Sequence, residues 1–256
     1  MDLKSALDSL PKTDKNVVVV LSGGLDSTIL THILVEKYGH NKVYALSYNY
    51  GQKQKKELEL ANRTCKRLRV FHKTLDLSIL GEIAKGVSAN IDGSNIRMPT
   101  IKDVLGDPQP KTYVPFRNMI LNSLAFSYAE AYRASHVFTG LQVHDEYGYW
   151  DTTQKFVDAM NNVASQNRTF KVRMEAPFSK LSKLEEINIM KELYGDDEIV
   201  KEALRLTLTC YNPNEDGESC GKCPSCSERI NAFAKAKIID PISYAVELPW
   251  SELCVR

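Results

Sequence analysis

The sequence predicts an α/β fold built on a doubly wound, five-stranded parallel sheet with a C-terminal metal-binding segment. Three observations lead there. Asn16 to Leu21 is a continuous, largely β-branched run that ends in Ser22-Gly23-Gly24, as expected of a central strand buried on both faces. Strand-like runs then alternate with segments of helical period, the pattern of a parallel sheet with crossover helices. Finally, four of the six cysteines fall within the seventeen residues 210–226.

Taken in order, Asp26 to Tyr38 carries Ile29, Leu30, Ile33 and Leu34 at helical spacing, and Gly39 stops that helix. Lys42 to Tyr48 is a second strand. Lys55 to Arg67 is expected to be an exposed helix, with a third strand over Val70 to Leu75. The stretch from Gly81 to Lys111 holds Pro99, Pro108 and Pro110 and no clear period, so it is expected to be a long loop, either a lid over the site or partly disordered. Asn118 to Arg133 is a helix, Ser135 to Thr139 a fourth strand closed by Gly140, and Phe170 to Glu175 a fifth. The chain divides into an α/β domain, 1–195, and a cysteine-bearing segment, 196–256.

Composition narrows the function classes. At 256 residues, 43% hydrophobic and 25% charged, the chain is of ordinary globular type. A net charge of +1 gives no sign of a broad polyanion-binding surface, and leaves room for a local basic patch. Met1 to Lys15 has no apolar core of signal-peptide length, no stretch approaches a membrane span, and the expected location is cytoplasmic. Thiols in a reducing compartment suggest metal ligation over disulfides.

A buried strand, Ser22-Gly23-Gly24-Leu25-Asp26-Ser27 and a helix together make an anion site. The glycines let the backbone approach a ligand, and the first amides of the helix aim their partial positive charge at one spot. Ser22 and Ser27 add hydroxyl donors. Asp26 repels phosphate unless a cation stands between them, which predicts magnesium. Cys210-x9-Cys220-x2-Cys223-x2-Cys226 offers four soft ligands on short turns, suited to a closed tetrahedral zinc site. An iron–sulfur cluster is the main competing metal. A thioredoxin-type redox pair is disfavoured, because such a pair starts a helix within a βαβ unit. Mixed charges around the cluster (Glu215, Asp216, Glu218 and Glu228 against Lys222 and Arg229) make nucleic acid an unexpected partner.

The hexapeptide resembles the pyrophosphate-binding loop of the PP-loop ATP pyrophosphatases. Further segments sharpen this to a resemblance to the 7-cyano-7-deazaguanine synthase (QueC) family: Tyr50-Gly51-Gln52, Thr112 to Asn118, Ala176-Pro177 with Lys183 and Glu185, and Leu208 to Asn212 leading into the cysteines. In order, these span about nine-tenths of the chain. The resemblance implies a Rossmann-like, adenine nucleotide alpha hydrolase-like sheet and a homodimer. It also implies ATP-dependent adenylation of 7-carboxy-7-deazaguanine with release of pyrophosphate, capture by ammonia to give an amide, and a second adenylation giving the nitrile. Asp26, Ser27, Arg117 and Lys183 are then the catalytic residues. Ser22, Gly23, Gly24, Asp26, Ser27, Tyr50 and Gln52 hold the nucleotide, and Asn118, Asp145, Tyr149 and Asp151 the deazaguanine.

The chain departs from the family pattern near the substrate. Val143, Tyr147, Trp150 and Thr152 stand where Glu, Ser, Pro and Cys are usual. Gln54 replaces a His, Phe116 a Gly or Asp, and Leu25 a Gln. Two readings follow: drift without consequence, or a different acceptor, such as a protein amine of the kind used by antiviral-defence paralogues. His144 is a candidate base in such a pocket, and Tyr149 and Trp150 could stack on a flat heterocycle. Lys53, Lys55 and Lys56 look like a solvated helix face, and Cys65 and Cys254 like ordinary thiols. The rivals are a tRNA-modifying PP-loop enzyme and a non-catalytic nucleotide-binding subunit.

Overall fold

The computed structural model describes residues 1–99, 110–142 and 149–254. Five strands form one all-parallel sheet: β1 (Asn16–Val20), β2 (Val43–Asn49), β3 (Phe71–Asp76), β4 (Ala134–Thr139) and β5 (Arg173–Glu175), in the order β3-β2-β1-β4-β5. The chain runs outward from β1 through β2 to β3, then returns to build β4 and β5 on the other side. Such a reversal opens a crevice at the carboxyl ends of β1 and β4, where ligands bind in open α/β sheets.

Strand alternation explains the unbroken valine run. Val17 and Val19 enter one core and Val18 the other, and all three are fully buried. The first core holds α1 (Leu3–Ser9), α2 (Leu25–Tyr38) and α7 (Lys183–Tyr194); the second packs α5 (Arg117–Ala131) on the opposite face. Between them in sequence, α6 (Gln154–Ala164) sets Phe156, Val157 and Met160 against Met174 of β5. Leu25, one of the departures from the resembled pattern, is fully buried in the first core.

Three expectations change. The helix α3 (Lys56–Leu68) is not simply exposed: Leu60, Ala61, Thr64 and Cys65 are buried beneath its charged outer face. The fifth strand starts at Arg173, because Phe170 N–H is committed to the Asn167 side chain in a turn. Most importantly, the described part of 81–111 is packed. α4 (Ser78–Ala84) covers its start, Ile91 bridges antiparallel to Gln52, and Leu80, Ala84, Ile91 and Val114 form a small core of their own. Apolar residues too widely spaced to show a period still find one another in three dimensions.

Beyond residue 195, α8 (Asp197–Leu204) and α9 (Pro224–Lys235) feed Val200, Ala203, Leu204, Ala232 and Phe233 into the first core. A fully buried Arg229–Asp240 pair, at 2.7 and 2.9 Å, locks this segment internally; Arg229 also donates to Thr207 and Tyr244 to Asp240. A short helix, α10 (Trp250–Leu253), follows. Among the described residues, no helix is long and apolar enough to cross a membrane.

Candidate functional site

The turn after β1 is shaped by one glycine in particular. Gly23 has φ +92°, and a Cβ there would collide with the backbone carbonyl of Glu57 at the start of α3. Ser22 and Ser27 fasten the turn. The Ser27 hydroxyl accepts from the Ser22 amide at 3.2 Å and meets the Ser22 hydroxyl at 3.0 Å, and the latter accepts from the Gly24 amide at 3.1 Å. Leu208 N–H donates to the Gly23 carbonyl at 3.0 Å, tying the C-terminal segment to the turn. Gly140, at the end of β4, lies so close to Ser27 that a Cβ would sit 3.0 Å from its amide nitrogen.

Above the turn opens a cavity of about 340 Å³. Of the residues expected at the site, Ser22, Gly24, Asp26, Ser27, Tyr50, Gln52, Arg117, Asn118, Tyr149 and Lys183 line it. Gly23 lies beneath the surface. Asp151 is buried behind Asn118, accepting its backbone N–H at 3.3 Å and, through its own carbonyl, the side-chain amide at 3.1 Å. Asp151 therefore positions the wall instead of forming it. Burial pushes its carboxyl above the ordinary range against the opposing pull of Arg117. Asp145 and His144, with Val143 and Tyr147, lie outside the described residues.

The cavity floor is an ionic knot. Lys183, first residue of α7, is held by a capping box in which Ser182 accepts from Glu185 N–H and Glu185 accepts from Ser182 N–H. Its ammonium donates to Asp26 at 3.1 and 3.2 Å and to Gln142 Oε1 at 2.7 Å, with Glu228 at 3.6 Å. Burial alone would lower the Lys183 pKa, but Asp26, Glu228 and Glu186 together hold it above the ordinary value. Glu186, fully buried, accepts from the Gln142 amide; burial and the nearby Asp26 push its carboxyl well above the usual range. Lys183 is thus no solvated helix lysine, and Asp26 already has one cation on it.

The opposite wall is Arg117, the first residue of α5. It donates to Tyr50 Oη at 3.3 Å, and its guanidinium lies 5.7 Å from the Tyr50 ring centre. Glu57, in the first turn of α3, faces the same guanidinium and accepts from Gln52 at 3.5 Å. Burial lifts the Glu57 carboxyl to about 8 despite the lowering effect of Arg117 and Gln52. At the rim, Tyr149 meets the Thr112 hydroxyl. Phe116, in the left-handed region at φ 54°, packs edge to face on Trp150 with centroids 5.3 Å apart. Two departures from the family pattern are thus one contact, and both rings are partly exposed.

The four cysteine sulfurs all lie within 4.8 Å of one another, and the Cys220–Cys226 pair is 3.9 Å apart. Four thiolates around a tetrahedral zinc would stand about 3.8 Å apart. Backbone N–H groups of Asn212 and Cys220 point at Cys210 Sγ, those of Lys222 and Cys223 at Cys220 Sγ, and that of Cys226 at Cys223 Sγ, at 3.2–3.4 Å. Such donors stabilise thiolates, so the cluster could hold a metal ion. Cys223 caps α9 and Cys226 lies in its first turn, so these cysteines do start a helix, though outside any βαβ unit. The cluster also borders the cavity: Cys210, Tyr211, Ser225 and Glu228 line it, and Gln54 donates to the Tyr211 carbonyl at 2.9 Å.

Glu57, Gln142, Glu186 and Glu228 were not singled out for the site from the sequence. Glu57 and Glu186 sit in charged runs, Lys-Lys-Glu-Leu-Glu and Leu-Glu-Glu, where nothing local separates an inward carboxylate from an outward one.

A family model described as "Queuosine biosynthesis protein QueC" matches residues 16–237. The 7-cyano-7-deazaguanine synthase of Caldicellulosiruptor saccharolyticus is 37% identical over 92% of this chain and 98% of its own. That of Pseudoalteromonas atlantica is 38% identical over 90% and 99%. Among solved structures, the NH3-dependent NAD synthetase of Campylobacter jejuni is similar at TM-score 0.44 and 20% identity, covering 79% of this chain and 78% of that one, too low to bear on function. With that family model matched across both halves of the sheet and the cysteine cluster, and relatives aligned over nearly their whole length, the chain belongs to the QueC family.

Proposed function

We propose that this chain is an ATP-dependent synthase that adenylates the carboxylate of 7-carboxy-7-deazaguanine and passes the activated carbon to nitrogen, giving an amide and then 7-cyano-7-deazaguanine. The observation that carries this reading is a single cavity bordered by the Ser-Gly-Gly turn, the Asp26–Lys183 pair and Arg117. Such a cavity, about 340 Å³, is within the range of small-molecule sites.

A carboxylate becomes a good electrophile only when one oxygen carries a leaving group. In the proposed step the substrate oxygen attacks the α-phosphorus of ATP, and the bond to the β-phosphate breaks. The amides opening α2 receive the departing pyrophosphate, and Lys183 neutralises charge that develops as it leaves. Arg117 offers a planar fork to a phosphate or carboxylate across the cavity. Magnesium, arriving with the nucleotide, would add a second positive centre; Asp26 and Glu228 are the cavity carboxylates suited to it. Zinc is assigned to Cys210, Cys220, Cys223 and Cys226 in a structural role, with no open position for chemistry. A homodimer belongs to the same reading, and Ile79, Ile83 and Val87, all more than half exposed, are an apolar surface that association would cover.

A second reading rests on the Phe116–Trp150 pair. An apolar rim favours an acceptor bulkier than ammonia, such as a protein amine, with chemistry stopping at the amide. Mass spectrometry of a reaction containing the protein, ATP, magnesium, 7-carboxy-7-deazaguanine and ammonium separates the two. A nitrile product is expected from the first reading; an adenylate or amide that accumulates supports the second. Absence of AMP formation overturns both.

A further inference from the structure

Three carboxylates line the cavity among the described residues: Asp26, Glu57 and Glu228. Two of them are engaged. Asp26 binds Lys183 at 3.1 and 3.2 Å, and Glu228 lies 3.6 Å from the same ammonium. Both thus share the Lys183 ammonium, whereas the hydrogen bond that Glu57 accepts comes from a neutral amide, that of Gln52. Glu57 stands on the other wall, in the first turn of α3, where Gly23 packs against its backbone carbonyl and so sets it beside the phosphate turn. The groups facing its side chain are the Gln52 amide at 3.5 Å, the Arg117 guanidinium and the Tyr50 ring, whose hydroxyl accepts from Arg117.

Resting on the function proposed above, we propose that Glu57 takes the proton from the nitrogen nucleophile. Ammonia and simple amines are almost wholly protonated near neutral pH and have no lone pair to attack with until one proton leaves. In the balanced step, ammonium gives a proton to the Glu57 carboxylate and the freed nitrogen attacks the carbonyl carbon of the acyl adenylate. The C–N bond forms, the bond to the AMP oxygen breaks, and the second surplus proton leaves on the AMP phosphate. Arg117 stands close enough to steady the carboxylate form. The desolvated position keeps the carboxyl near 8, so both proton states are populated at working pH.

The test separates activation from nitrogen transfer in the full-length protein. Activation is read as carboxylate-dependent exchange of labelled pyrophosphate into ATP, and transfer as amide formed from ammonium chloride. Glu57→Gln is expected to lower transfer on the order of 100-fold while exchange changes less than about threefold. Hydroxylamine, unprotonated near neutral pH, is expected to restore product formation in the variant, and the variant's transfer from ammonium to keep rising with free ammonia above about pH 8, where the wild type levels off. Transfer at the wild-type rate, loss of exchange together with transfer, or no advantage of hydroxylamine over ammonium would each overturn the assignment. Absence of exchange in the wild type would instead strike the proposed function itself.

Discussion

Lys183 Nζ lies 3.1 and 3.2 Å from the two carboxylate oxygens of Asp26, 157 residues away in sequence. The pair joins the first residue of α7 to the second of α2, so the phosphate turn and the cavity floor form one rigid unit. Its Lys183 side chain is 8% exposed and its Asp26 side chain 23%.

Breaking that pair from either end has unequal consequences. Asp26→Asn keeps the shape and hydrogen-bonding capacity, so the thermal midpoint is expected to move by only a few degrees while pyrophosphate release falls by about 100-fold or more. Lys183→Met leaves Asp26, Glu186 and Glu228 without their shared cation, and is expected to cost about 2–3 kcal/mol in urea unfolding as well as activity. Full pyrophosphate release by the Asp26→Asn protein would remove this carboxylate from the chemistry.

Glu186 carries a pH prediction. Its folded-state pKa is raised by burial and by Asp26, so the folded protein holds that proton more tightly than the unfolded chain. The stability it contributes is present below the ordinary carboxyl range and is lost as pH rises toward its folded value. Glu186→Gln has no proton to lose and retains an oxygen for Gln142. Its thermal midpoint should match the wild type near about pH 4 and exceed it increasingly toward pH 8. A gap that shrinks as pH rises would mean that Glu186 is ionised in the folded state.

The metal cluster should be felt in the cavity. Elemental analysis is expected to return about one zinc per chain. Because Cys210, Tyr211, Ser225 and Glu228 border the cavity, chelation should weaken binding of a fluorescent ATP analogue by about tenfold, alongside a fall in thermal midpoint. Iron in place of zinc, or unchanged nucleotide affinity after metal loss, would contradict this coupling.

What the chain determined on its own is what depends on neighbours in sequence. Five consecutive apolar residues, Val17 to Leu21, followed by Ser-Gly-Gly and a helix with Asp26 in its first turn, specify a buried strand and an anion-binding turn without help from elsewhere. Cys220, Cys223 and Cys226, each separated from the next by two residues, are likewise brought close by local spacing. Tertiary structure alone decided which charged groups turn inward. Glu57 and Glu59 belong to the same charged run, yet only Glu57 enters the cavity, because α3 is rotated by burial of Leu60, Ala61, Thr64 and Cys65. Asp151, expected at the substrate, is buried behind Asn118, while Gln142 and Glu228 reach Lys183 from distant parts of the chain. Side-chain direction on a helix is settled by the packing of its far face, and that information is spread over the whole chain.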